Sequence, residues 1–159
     1  MFKIALYLLL TVILATFLLP FFYTVSAYEL NPTKILQAPS FEHIFGTDRL
    51  GRDIFARILN GGQTSLIIGF LAASISSILG LVIGITAGYF KGNVDRTITI
   101  LIDLFLTFPT FFLLLALVSY IQASAIILII VISITGWMGM SRMIRSESFS
   151  IGNKPFIKI

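Results

Sequence analysis

A bundle of α-helices embedded in lipid is the architecture to expect from this chain, and composition, run length and hydrogen-bond physics each point to it. Apolar residues fill 57% of its 159 positions and charged residues only 11%, where a soluble domain carries roughly a quarter. Mean hydropathy is +1.01. There is too little polar surface to cover a folded core, which excludes an ordinary water-soluble enzyme or binding domain. Four apolar runs reach the roughly 20 residues that a helix needs to cross a bilayer. Lipid offers the backbone no hydrogen-bond partner, so each span must satisfy its own amides as a helix. A barrel strand would alternate in polarity, whereas Ala125 to Val131 is apolar without interruption.

The first run, Ile4 to Val25, is interrupted only by Thr11, Thr16, Pro20 and Thr24. Lys3 before it and Val25-Ser26-Ala27 after it have the look of a secretory signal. Its apolar stretch of about 22 residues exceeds the roughly 7–15 of such a signal, so residues 1–25 are expected to stay as an anchor helix. Residues 26–64 are expected to form an external, periplasmic segment that opens as loop, with Asn31, Pro32, Pro39 and Ser40 as its markers. From Asp48 a short amphipathic helix is expected. Thr47 or Asp48 would cap it, and Gly61-Gly62 would stop it. Leu50, Ile54, Phe55, Ile58 and Leu59 share one face. Arg49 with Asp53, and Asp53 with Arg57, are spaced to pair on the other. Such a helix would lie on the membrane surface. His43, beside Glu42, reads as a solvated loop residue.

Residues 65–159 read as one partial core domain. Its first span, Ser65 to Tyr89, carries no charge. Gly80, Gly84 and Gly88 recur every fourth residue there and share a face on which another helix can approach closely. The next span, Ile98 to Tyr120, contains Asp103, which is placed to pair with Arg96 on the same helical face. Pro109 is expected to kink that span. The last span covers Ser124 to Met140. With the N-terminus in the cytoplasm, seven basic residues lie inside (Lys3, Lys91, Arg96, Arg142, Arg145, Lys154, Lys158) and four outside (Lys34, Arg49, Arg52, Arg57). The positive-inside rule favours that orientation.

Some chemistries find no footing. The chain has no cysteine and one histidine, so no disulfide framework or Cys/His metal site is expected. No glycine-rich phosphate loop ending in Gly-Lys-Ser/Thr is present, so ATP used in any transport would bind another polypeptide. No nucleophile with an adjacent base is visible, and an enzyme is not expected. The pI near 9.6 reflects topology and an anionic leaflet. Without a basic run interleaved with aromatics, membrane lipid is the expected partner and nucleic acid is not.

The string Phe45-Gly46-Thr47-Asp48-Arg49-Leu50-Gly51-Arg52-Asp53-Ile54-Phe55-Ala56-Arg57, followed by Gly62 and Ser65-Leu66, resembles the signature of the C-type permease subunit of bacterial dipeptide, oligopeptide and nickel ABC importers. Ala87 to Arg96 resembles that family's first cytoplasmic loop. Asp103 with Phe108-Pro109 resembles its next helix. Trp137, Ser141-Arg142, Ile144-Arg145 and Ser148-Phe149-Ser150 resemble the approach to its coupling loop. The resemblance implies a multi-pass protein of the bacterial inner membrane that forms a translocation path with a second permease subunit. It also implies an external solute-binding protein and cytoplasmic ATPase subunits that bind the ATP. Gly46, Thr47, Asp48, Gly51, Arg52, Asp53 and Arg57 would form the external motif, and Arg142, Arg145, Ser148 and Phe156 the start of the coupling loop.

Family members are longer and have six helices. Here the coupling loop begins near Asn153 to Ile159, and Pro155 stands where a helix former belongs. The expectation is a chain truncated within that loop, the N-terminal part of a six-helix permease. Two other readings stand beside transport: a disrupted, non-functional permease remnant, and a small membrane scaffold.

Overall fold

The computed structural model describes residues 2–107, 109, 112, 115–116, 119, 124–152 and 154. Among the described residues four helices follow one another: α1 (Phe2–Phe22), α2 (Ile54–Phe90), α3 (Gly92–Thr107) and α4 (Ala125–Gly152), with a 3-10 turn at Pro32–Lys34 between the first two. Among the described residues the β-structure amounts to an isolated bridge, Thr47 to Asp53. The protein is an all-helical membrane bundle. Helices α1, α2 and α4 are each long and apolar enough to cross a membrane. Most of the second half of the expected third span, 108–120, lies outside the described residues.

Lipid as solvent explains the surface. Phe22 and Phe70 are 85% and 73% exposed in the isolated chain, and helices apolar all round are stable only when covered by hydrocarbon or by protein. The 37 residues of α2 would extend about 55 Å at a rise of 1.5 Å each. A hydrocarbon core is about 30 Å thick, so part of α2 projects beyond it or the helix tilts.

The chain divides into two compact units, Met1–Ile67 and Ile68–Ile159, and α2 contributes to both. In the first unit, α1 contains Pro20. Proline has no N–H to give the carbonyl four residues back, here that of Thr16. The Gln63 side-chain amide of α2 takes its place and donates to Thr16 O at 3.1 Å. Gly62 makes this approach possible, since a Cβ there would sit 3.0 Å from Thr16 Cγ2. Gly61-Gly62 therefore does not stop a helix. The surrounding helix propagates through the pair, and Gly62 serves as a contact.

The expected short helix from Asp48 is corrected too. Residues 48–53 form a turn, and α2 starts only at Ile54. Gly46 and Gly51 adopt φ of 73°, a region that residues with a Cβ rarely enter. A Cβ on Gly51 would run into the Asn31 carbonyl. Backbone bonds then tie the segment to itself: Asn31 N donates to Leu50 O at 3.3 Å, Thr47 N to Gln37 O at 3.1 Å and Ile54 N to Gly46 O at 3.1 Å.

The second unit holds the rest of α2 with α3 and α4. The α2 glycines step along α4. A Cβ on Gly80 would lie 2.7 Å from Met140 Cβ, and one on Gly84 2.7 Å from Ser141 O. On Gly88 it would strike Ser148 Cβ. The contact is reciprocal at Gly136 of α4, where a Cβ would meet Ser76 Oγ at 2.7 Å. Ser76 Oγ in turn donates to Ser133 O at 3.3 Å. Helix α4 runs twelve residues beyond Met140, the end expected for the last span, so Arg142, Arg145 and Ser148 are helical. Helix α3 ends at Thr107, two residues before Pro109. The kink expected at Pro109 falls where the flanking residues 108, 110 and 111 lie outside the described residues.

Candidate functional site

Two polar constellations stand out in this apolar chain, one in each unit. The first is built by the segment joining α1 to α2. Asp48 accepts from its own turn, Leu50 N at 2.8 Å and Arg52 N at 3.0 Å through Oδ1. Its Oδ2 takes Arg52 Nε at 2.8 Å and Arg57 Nη1 at 2.5 Å. Partial burial works against ionisation, but the Arg52 guanidinium and the Leu50 and Arg52 amides outweigh it. Together they hold the Asp48 carboxyl well below the usual carboxylate range. Thr47 Oγ1 accepts from Gln37 N at 2.9 Å and donates to Lys34 O.

Asp53 is the hinge of the segment and is only 2% exposed. Its Oδ1 caps α2 by accepting from Ala56 N at 2.7 Å. Its Oδ2 lies 2.7 Å from the Tyr23 hydroxyl and 2.8 Å from His43 Nδ1. Burial would raise its pKa, yet the Ala56 amide, the Tyr23 hydroxyl and His43 together lower it. Tyr23 responds in the opposite sense. Burial first, then the hydrogen bond and charge of Asp53, push its phenol up to about 12, so it stays a donor. Hydrogen bonds to a charged group contribute about 1.5–3 kcal/mol each, so Asp53 ties the end of α1 to the start of α2.

Several sequence expectations give way here. His43 is not solvated; it is buried at 6% exposure, with Asp53 on one ring nitrogen and Lys34 Nζ 3.1 Å from the other. The pairs Arg49–Asp53 and Asp53–Arg57 are not what forms. Asp53 precedes the helix instead of sitting inside it, so helical spacing does not apply, and Arg57 reaches back nine residues to Asp48. Tyr23, Lys34 and Glu42 were missed as participants. Tyr23 and Asp53 are thirty residues apart, too far for any local pattern to register.

The second constellation joins α3 to α4. Asp95 holds Arg145 with both carboxylate oxygens, Nη2 to Oδ2 at 2.7 Å. Two turns on, Asp103 pairs with Arg142. The expected partner of Asp103, Arg96, shares its helix, but Arg142 comes from the neighbouring one and leaves Asp103 an inter-helix tie. Phe149 lies beneath two cations, 5.1 Å from Arg145 Cζ and 5.6 Å from Lys91 Nζ. Ser148 sits against Gly88. Phe156, the remaining residue of the expected coupling-loop start, lies outside the described residues. Among the described residues no group of three His, Cys, Asp or Glu side chains could hold a metal ion.

Comparison with known proteins gives these constellations a context. Residues 80–159 match the family of the binding-protein-dependent transport system inner membrane component. Over 135 residues the chain is 40% identical to the dipeptide transport system permease protein of Alkalihalophilus pseudofirmus, covering 84% of this chain and 44% of that one. Over 143 residues it is 36% identical to the oligopeptide transport system permease protein of Mycobacterium bovis, and equally to that of Mycobacterium tuberculosis. That match covers 89% of this chain and 48% of the relative. The chain thus spans less than half the length of the curated relatives it matches. Matched over half of its residues, the chain belongs to the family of binding-protein-dependent transport system inner membrane components.

Proposed function

We propose that this chain supplies part of a permease subunit of an ABC importer for peptides. One observation carries the reading: its 40% identity to a dipeptide permease runs across 84% of the chain. In this reading a second permease subunit completes the path and an external binding protein delivers the peptide. ATPase subunits in the cytoplasm bind ATP and drive the cycle. The N-terminus and the end of α4 face the cytoplasm, and the Ser26 to Gly62 segment faces outward.

The geometry suits such work because force must pass through rigid elements. Asp95 and Asp103 fasten α3 to α4 at Arg145 and Arg142, and the α2 glycines hold α4 at close range. A push on the end of α4 would therefore move α2 and α3 with it instead of bending α4 alone. On the other side, Asp48 and Asp53 fix the turn that leads into α2, a firm surface for a docking protein.

Affinity purification of the tagged chain from its native membrane, in mild detergent, tests the proposal. The expected co-purifying proteins are a second permease and ATPases with phosphate-binding loops. Recovery of the chain alone, under conditions that keep a control importer intact, would contradict it.

A further inference from the structure

The hydrogen-bond directions around His43 leave one arrangement. Lys34 Nζ lies 3.1 Å from His43 Nε2, and an ammonium has only donors. Nε2 must therefore accept, which places the ring proton on Nδ1, where it donates to Asp53 Oδ2 at 2.8 Å. The imidazole is thus a neutral bridge between an ammonium and a carboxylate. Tyr23 donates to the same Asp53 oxygen at 2.7 Å. Glu42 Oε1 holds the far side of the Lys34 ammonium at 2.7 Å. These four side chains come from the end of α1, the 3-10 turn, the loop and the cap of α2, and they are the titratable groups that face the ring. Glu29 lines the same cleft of about 330 Å³, together with Ser26 and Asn31.

We infer that His43 is a proton-binding site that latches the segment joining α1 to α2, closed when the ring is neutral and released when it takes a second proton. A proton on Nε2 turns the acceptor into a cationic donor facing an ammonium at hydrogen-bond distance. The Lys34 contact is then lost, while the bond from Nδ1–H to Asp53 survives and strengthens. The contact is therefore present at higher pH and lost as pH falls. Lys34 is the residue that moves, turning on its flexible four-carbon stem toward Glu42, which still holds its ammonium, whereas Asp53 is fixed by Ala56 N and Tyr23. Release separates the Lys34 ammonium, still paired with Glu42, from the His43 ring beside the cleft and leaves the start of α2 unchanged. Histidine as a residue type ordinarily changes charge between about pH 5 and 8, which sets the range to test.

Hydrogen–deuterium exchange of the peptide spanning residues 31–43 tests this, with the full chain in lipid nanodiscs. The parent and His43→Gln are compared at each pH between about 5 and 8. Glutamine offers one donor and one acceptor but does not titrate, so intrinsic pH effects on exchange cancel in the ratio of parent to variant. That ratio should rise several-fold as pH falls. A second comparison uses Lys34→Met in the His43 parent, which should remove the pH dependence, since no ammonium remains to be expelled. It also keeps the test open if His43→Gln folds poorly. A parent-to-variant ratio that is flat across the range overturns the latch, and so does a full pH response surviving in Lys34→Met.

Discussion

Replacing Gly84 by alanine adds one methyl group, and the neighbouring helix has no space for it. The new Cβ would lie 2.7 Å from Ser141 O and 2.9 Å from Ile144 Cβ, where ordinary contact begins at 3.4 Å. One obstacle is backbone, so α2 and α4 must separate locally by about 0.7 Å or one must rotate. Overpacking of this kind costs about 1–3 kcal/mol. Against it stands the helix preference of alanine over glycine, about 1 kcal/mol. The net effect of Gly84→Ala is then a loss of about 0–2 kcal/mol, the overpacking cost less the helix gain. Gly69→Ala supplies the control on the same helix, because nothing lies within 4 Å of its Cβ. It keeps the helix gain without the clash. Unfolding by sodium dodecyl sulfate from mixed detergent–lipid micelles reads both. The two variants should differ by about 1–3 kcal/mol, with Gly84→Ala the weaker. Equal stability of the two would show that the glycine face carries no packing constraint.

Asp48 and Asp53 both have their pKa depressed by the fold. Their stabilisation is complete above the unfolded value of about 4 and drains away as pH falls through the folded values, so acid titration of stability should steepen below about pH 4. Asp48→Asn should flatten that part of the curve, and an unaltered slope would refute the assignment. Asp95→Arg and Arg145→Asp should each destabilise the α3–α4 contact, and the double exchange should recover much of the loss; thermal unfolding of all four forms reads the coupling, and strictly additive losses would contradict the ion pair. Because the chain has no cysteine, Gln37→Cys and Asn153→Cys give clean topology probes. An impermeant thiol reagent should label the first on intact cells and the second only after permeabilisation, and the reverse pattern would invert the proposed orientation.

What could be read from sequence was whatever one helix or one apolar run carries by itself. The all-helical membrane architecture followed from run length and the demands of the backbone in lipid. The recurrence of Gly80, Gly84 and Gly88 at every fourth residue was visible because all three lie on one helix. Reading failed where a residue type has two uses and the choice lies elsewhere in the chain. Gly61-Gly62 looks like a helix stop unless the approach of Thr16 is known. Asp48 and Asp53 are both good caps, and the bonds from Leu36 to Asp48 and from Asn31 to Leu50, which hold the intervening turn, decide that Asp53 is the one used. Asp103 has a basic residue seven positions away on its own helix, but its partner Arg142 is thirty-nine residues distant. His43 had no local signal, since its burial comes from Tyr23, Lys34 and Asp53 converging from three separate stretches.

The central claim is peptide import, and uptake measures it most directly. Cells lacking the coding region for this chain, and the same cells with it restored, would be given radiolabelled di- and tetrapeptides with ATP synthesis intact or blocked. The account predicts that energy-dependent accumulation of at least one peptide falls to background on deletion and returns on restoration. Accumulation that is the same with and without the chain, for every peptide tested, would contradict it.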